Sequence, residues 1–256
     1  MKLIQFLIKI PIFKRLLPSL IRRVFMLLKI FLIKFNYKNV ELILDIRDSI
    51  DRVILFNNKY EEEQMEYFFK CINNFEMNIF IDIGANIGVY SLLAAKRFRH
   101  VDIYSYEPHP EAFKRLAKNI INNNFENRIV AINLALSNFQ GKMFIEGPKN
   151  LGINQSGGAT LSSTGSNKIL VKTGDSDLQL LNEKIAIKID VEGHEHNVIE
   201  GLKNILVSNS IFIQIEIFDR HLEKVSKTLK DLNFKLVKKI SHNHSSGTND
   251  YYYKNF

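Results

Sequence analysis

The sequence predicts an α/β protein built on a mostly parallel, doubly wound sheet, and three observations predict it. An apolar run at 79–83 ends at Gly84, crosses a small-residue turn, and gives way after Gly88 to VYSLLAAKRF, whose apolar residues recur at helical spacing. A second apolar run, 101–106, ends in Glu107-Pro108, so an acid stands 19 residues beyond Gly88 at the close of the next strand. From there strand-like and helix-like segments alternate until two strand-like runs follow one another, which predicts a closing antiparallel hairpin.

With 256 residues the chain can hold one domain of about 150–200 residues and an extension. Its net charge of +8 is unevenly placed: residues 1–38 hold nine basic residues and no acid, so the rest carries −1, the overall charge less those nine. A folded domain that reads nucleic acid spreads its basic residues over its own surface, so nucleic acid is not expected as a partner. The single Cys71 excludes an internal disulfide framework and a cysteine-based metal site, which suits the reducing cytoplasm.

Residues 1–35 are rich in Leu, Ile and Phe, yet Lys or Arg interrupts them every few positions. No charge-free run approaches the roughly 20 residues that span a bilayer, and a signal peptide fits poorly. Pro11 and Pro18 break the early part, so a helix is expected over Ser19–Phe35 with Ser19 as its N-cap. On it Ser19, Arg22, Arg23, Lys29 and Lys34 share a sector of about 140°, interrupted by Met26, Ile30 and Ile33. Two readings stay open for the segment 1–38: a peripheral helix on an anionic membrane surface, or a helix docked on the domain or a second subunit. Residues 39–74 form a lead-in, with two short strands around the polar break Arg47–Arg52 and a helix over Tyr60–Ile72 whose first turn holds Glu61, Glu62 and Glu63.

At the glycine turn, Gly84 lets the chain reverse, and Asn86 and Gly88 let backbone approach a ligand at a helix N-terminus. The spacing is G-x-x-x-G, whereas a dinucleotide fingerprint requires G-x-G-x-x-G. Asp82 would repel a pyrophosphate and attract a cation. S-adenosylmethionine carries both an ammonium and a sulfonium, and is the expected cofactor. Glu107 then accepts hydrogen bonds from its ribose hydroxyls. After the strand 129–136, Asn138 in the Ser137-Asn138 loop is placed beside the adenine.

Residues 140–166, rich in Gly and Ser, interrupt the alternation and are read as a substrate lid. A strand over 168–172 and a helical turn over 178–181 follow. The strand Ile185–Ile189 opens into Asp190-Val191-Glu192-Gly193-His194-Glu195-His196 at its carboxyl end, where open α/β sheets bind ligands. A helix through Val198 and Leu206, a strand Ile211–Ile217 carrying Glu216, a helix His221–Leu232, and strands Phe234–Ile240 and Tyr251–Tyr253 complete the chain.

Three blocks together resemble the FkbM family of S-adenosylmethionine-dependent methyltransferases: FIDIGANIGVYS at 80–91, YSYEPHPEAFKRL at 104–116 and IKIDVEGHE at 187–195. NKYEEEQ at 58–64 is similar to the family's approach to its first core strand. The resemblance covers residues from about 40 to the C-terminus and implies a Rossmann-like class I methyltransferase domain over 75–256. It implies cofactor contacts at Asp82, Gly84, Asn86, Gly88 and Glu107, and O-methylation of a sugar, glycan or other small molecule. The segment 1–38 lies outside it.

Methyl transfer to a hydroxyl needs the acceptor oxygen aligned with the methyl carbon and a group that takes the hydroxyl proton. Asp190 and Glu192 are the first candidates and His194 the next, with Lys188 positioned to keep Asp190 ionised. No metal site is assigned, although a divalent ion bridging Asp190, Glu192 and Glu216 stays open. His196, His242 and His244 are expected to be solvated. The alternative from another class is a membrane-associated module that keeps the fold without catalysis; intact Asp82, Glu107, Asp190 and Glu192 weigh against it.

Overall fold

The computed structural model of the chain describes residues 11–146, 160–162, 167–241 and 247–256. It opens with α1 (Pro11–Leu27), which contains Pro18. The expected helix over 19–35 is thus displaced, because residues beyond Leu27 are drawn into a hairpin. Its strands β1 (Leu32–Tyr37) and β2 (Val40–Asp45) pair antiparallel from Tyr37↔Val40 onward. Lys38 and Asn39 both take left-handed backbone, φ 48° and 63°, the conformation a two-residue turn needs to match strand twist. The second strand expected before Asn57 is instead helical. Asp48 accepts hydrogen bonds from the N–H groups of Ile50 and Asp51 and caps α2 (Ser49–Asn57), turning Ile54 and Leu55 inward while Val53 stays exposed. α3 (Glu62–Asn74) follows as expected.

The core then runs β3 (Ile79–Ile83), α4 (Val89–Arg97), β4 (Asp102–Tyr106), α5 (Pro110–Asn122) and β5 (Ile129–Ile132). Strands β6 (Ala135–Leu136), β7 (Gly141–Glu146), β8 (Thr160–Ser162) and β9 (Asn167–Lys172) make a separate small sheet in the order β6-β9-β7-β8. Part of the expected lid is therefore strand, since β7 pairs antiparallel with both β8 and β9; the rest of it, 147–159 and 163–166, lies outside the described residues. The helical turn expected at 178–181 falls earlier, at α6 (Gly174–Asp177). Next come β10 (Lys184–Ile189), α7 (Glu195–Gly201), α8 (Lys203–Ser208), β11 (Ser210–Phe218), a short 3-10 turn at Asp219–His221, α9 (Leu222–Asp231), β12 (Lys235–Ser241) and β13 (Thr248–Lys254). His242 and His244 lie outside the described residues.

The main sheet has seven strands in the order β12-β13-β11-β10-β3-β4-β5, parallel from β11 to β5, with β13 and β12 added antiparallel. The predicted fold class stands. Chain direction across the sheet reverses between β3 and β10, and the crevice at that switch is where such sheets take ligands. Alternation sorts the two faces. Ile81, Ile187 and Ile213 pack under α7, α8 and α9, whereas Phe80, Phe212 and Tyr252 join Phe68 and the lead-in hairpin on the other face. Among the described residues no helix is long and apolar enough to cross a membrane.

The outer edge of β2 is closed by side chains rather than by another strand. Asn119 of α5 accepts from Ile43 N (2.8 Å) and donates to Ile87 O (3.0 Å), while Asn123 accepts from Glu41 N and donates to Glu41 O, each at 2.8 Å. Because Asn119 is fully buried, Asn119→Ala leaves a backbone donor and a backbone acceptor unpaired and should cost about 1–3 kcal/mol. A urea titration measures this against Lys118→Ala on the exposed side of the same helix, which should stay within about 0.5 kcal/mol of the parent.

Candidate active site

The turn after β3 is held by two donors to one carbonyl: Gly84 N and Ala85 N both reach Tyr106 O, at 3.0 and 2.9 Å. Gly84 has φ 82°, and a Cβ there would lie 1.8 Å from Asp190 O, so only glycine lets the turn and the β10 terminus approach this closely. Asn86 also takes left-handed backbone, φ 50°, and lines the cleft. Gly88 does not line it; its missing side chain makes room for Leu116, whose Cδ1 would stand 2.4 Å from a Cβ. Glu107 fixes the turn from the end of β4, accepting from Asn86 N through Oε2 and His109 N through Oε1, both at 2.7 Å. Burial pushes its carboxyl up to about 7 in spite of those two donors.

Asp82 is buried in β3. Its Oδ2 accepts from Ser91 Oγ at 2.5 Å, and Ser91 is in turn 2.7 Å from Ser105 Oγ. Its Oδ1 has no donor among the described residues. Register places Lys188 beside Asp82 on one side and Gln214 on the other. The buried Lys188 ammonium donates to Asp190 Oδ2 at 2.9 Å and lies 4.8 Å from the centre of the Tyr90 ring. Burial opposes its charge, but Asp190, Glu61 and Asp82 more than offset this and hold it above the ordinary lysine range.

Asp190, Glu192 and His194 all line the same cleft as Asp82 and Glu107. Its volume, open mouth included, is about 930 Å³, and Leu134, Leu136, Ile145 and Leu161 supply an apolar wall. Glu192 and Gly193 both have positive φ, 50° and 99°, which turns the chain out of β10 and into α7. His194 Nε2 is 2.8 Å from Ser137 Oγ, and burial lowers its pKa, favouring the neutral ring. The buried Glu195 accepts from Gly193 N at 2.6 Å and steadies the turn. His196 and Asn138 lie outside the cleft lining; the Asn138 carboxamide accepts from Asn197 Nδ2 at 3.2 Å. The placement of Asn138 beside an adenine thus has no support from its position.

Further residues complete the site: Glu216, which sequence reasoning named only as one end of an open metal bridge, and Tyr90, Gln214 and Asp250, which it passed over. Glu216, next to Asp190 across β11, hydrogen-bonds to it, and burial followed by the Asp190 charge pushes its carboxyl up to about 10. Tyr90 donates to Glu61 Oε2 at 2.9 Å and accepts from Gln214 Nε2 at 3.2 Å, and Gln214 also donates to Asp250 Oδ1 at 2.9 Å. The available signal was the polar Gln214 inside the apolar run IFIQIEIF. Among the described residues no group of three or more His, Cys, Asp or Glu is arranged to hold a metal ion.

Residues 82–242 match the family described as the methyltransferase FkbM domain, more than half of the chain. The chain belongs to the FkbM methyltransferase family. Hexuronic acid methyltransferase AglP of Haloferax volcanii is 26% identical to it over 185 residues, 71% of this chain and 70% of that protein. Methyltransferase sdnD of Sordaria araneosa is 30% identical over 125 residues, 47% of each chain. Among solved structures, TYW2 of Pyrococcus horikoshii, in complex with MeSAdo, aligns with a TM-score of 0.52 at 13% identity over 88% of this chain and 70% of that one, a likeness of fold. This FkbM-family protein is a methyltransferase, and S-adenosylmethionine is its cofactor. The residues present fit that group: Asp82 lines the cleft with a buried oxygen that has no donor among the described residues, and Gly84, Asn86 and Glu107 line the same cleft.

The raised carboxyls make stability depend on pH. A buried acid whose folded pKa exceeds its unfolded one stabilises fully below the unfolded value and loses that contribution as pH rises through the folded one. For Glu216 that window runs from its ordinary 4.5 to about 10, and Glu107 acts in the same direction up to about 7. The unliganded protein should therefore lose urea resistance as pH rises across this range. Glu216→Gln, which remains a neutral donor, should flatten the loss between pH 7 and 10; urea midpoints at four or five pH values measure it.

Proposed function

We propose that this FkbM-family methyltransferase methylates a hydroxyl of a sugar, free or within a glycan or glycolipid. The observation that carries the proposal is the convergence on one cleft of two acid pairs, Asp82 with Glu107 and Asp190 with Glu192. The sugar acceptor named for the Haloferax volcanii relative supports it. When bound, S-adenosylmethionine supplies an electrophilic methyl group on sulfur. Asp82, Gly84, Asn86 and Glu107 would hold it, with Gly88 shaping the turn and Asn138 left without a role.

On the acceptor side Asp190 or Glu192 would take the hydroxyl proton, leaving the oxygen to receive the methyl group that the bound cofactor would supply. The ion pair from Lys188 keeps Asp190 ionised before that step and fixes its rotamer. Neutral His194 is the second candidate for the same proton. Asp82→Ala and Glu107→Ala should abolish S-adenosylhomocysteine binding in calorimetry while leaving a folded domain. Asp190→Asn and Glu192→Gln should keep that affinity within a few-fold and lower turnover by about 10²–10⁴-fold, the usual span of general-base catalysis. Unchanged turnover in both of the latter, on an identified acceptor, would remove them from the reaction.

The N-terminal helix supports a peripheral contact with anionic membrane. Leu17, Ile21 and Phe25 pack against the domain, yet Leu20, Leu27 and Leu28 are 58%, 83% and 61% exposed, in the segment that carries Arg22, Arg23 and Lys29. An apolar flank beside basic residues suits an anionic interface, each basic residue adding about 1 kcal/mol there. The protein should co-sediment with vesicles containing phosphatidylserine and be partly released by salt. Leu20→Ser, Leu27→Ser and Leu28→Ser combined should abolish sedimentation without altering cofactor affinity. Equal sedimentation of parent and variant would leave α1 a docking helix alone.

A further inference from the structure

The charge balance of the cleft bears on which acceptors can enter it. Its described lining carries four carboxyl groups and one lysine, Lys188; Asp82 and Glu107 belong to the cofactor side, which leaves Asp190 and Glu192 to face an acceptor. That lysine is already engaged, 2.9 Å from Asp190 Oδ2 and stacked over Tyr90. His194 adds no charge, since burial favours its neutral form. Behind the lining, Glu216 hydrogen-bonds to Asp190 and pairs in register with Asp250, while Glu61 accepts from Tyr90.

Resting on the sugar-methylating reading above, we propose that this cleft accepts neutral sugars and sugars bearing an ammonium group, and excludes sugars bearing a carboxylate. The protein contains its own probe of the point. Glu216 is a carboxyl beside Asp190, and it resists ionisation up to about 10 for want of water and because of the Asp190 charge. A uronic acid arriving at neutral pH is already ionised, as ordinary carboxyls are above about pH 4, and would meet the Asp190 and Glu192 carboxyl groups with the one lysine of the described lining already engaged. An ammonium meets the opposite field. A hydroxyl supplies a donor without charge. The inference sets this chain apart from its Haloferax volcanii relative, whose name specifies a hexuronic acid.

The test compares three methyl glycosides that differ at one substituent, the glucoside, the 2-amino-2-deoxyglucoside and the glucuronide. Each is titrated by saturation-transfer NMR into protein saturated with S-adenosylhomocysteine. The first two should bind, and the glucuronide at least 10-fold more weakly at low ionic strength, the gap narrowing in 0.5 M salt and in Glu192→Gln. A glucuronide that binds as tightly as the glucoside overturns the proposal. Cyclohexanol, cyclohexylammonium and cyclohexanecarboxylate are titrated in parallel. If the glycosides fail but this series keeps the order, the sugar reading fails and the charge rule stands; if the carboxylate matches the alcohol, or neither series binds, the charge rule is overturned.

Discussion

Lys188 is a buried ammonium around which Asp82, Asp190 and Glu61 are gathered, and the rest of the site depends on it. Unpaired, those carboxylates could not share a dry interior, since each would be driven to protonate. Backbone register does the placing. In-register pairing of β3, β10 and β11 sets Asp82, Lys188 and Gln214 side by side, and the next inward-facing position along β10 is Asp190. Burial raises the carboxyls of Glu107 and Glu216, and at Glu216 the neighbouring Asp190 charge adds to it.

Around this charge the backbone is packed unusually close. A Cβ on Gly84 would meet Asp190 O at 1.8 Å, and one on Gly201 would meet Ser137 O at the same distance. These two approaches bind the first strand–turn–helix unit to the β10 terminus and α7 to the strand that leads from β5. The turns that carry Gly84, Asp190 and Glu192 into the cleft are thereby held by close backbone packing, which fixes where their groups stand. The lead-in belongs to the same frame: Tyr60 lines the cleft and Glu61, at the entry to α3 with φ 39°, reaches Tyr90.

The places where local reading and structure part share one cause. The run Val53–Phe56 looks like a strand by composition, but the Asp48 cap lets Ile54 and Leu55 bury themselves as one face of a helix. The expected helix to Phe35 gives way to a strand because Val40–Asp45 offers a pairing partner across a two-residue turn. Asn138 follows a strand end as expected, yet Asn197 of α7 takes its carboxamide. In each case a short-range pattern was compatible with two outcomes, and a neighbour absent from the local window selected one.

What the sequence by itself determined is the order of most strands and helices, the switch-point turn, and the placing at strand ends of Asp82, Glu107, Asp190 and Glu192, which line one cleft. Those features rest on periodicity and on backbone demands that a few residue types satisfy. Tertiary structure alone decided that Glu61, Tyr90, Gln214 and Asp250 join them. These residues come from α3, α4, β11 and β13 and its approaches, up to 189 positions apart between Glu61 and Asp250, and nothing local marks them as neighbours. Register and close packing across parallel strands bring their charges within range of one another, and electrostatic interaction depends on distance in space, not on separation along the chain.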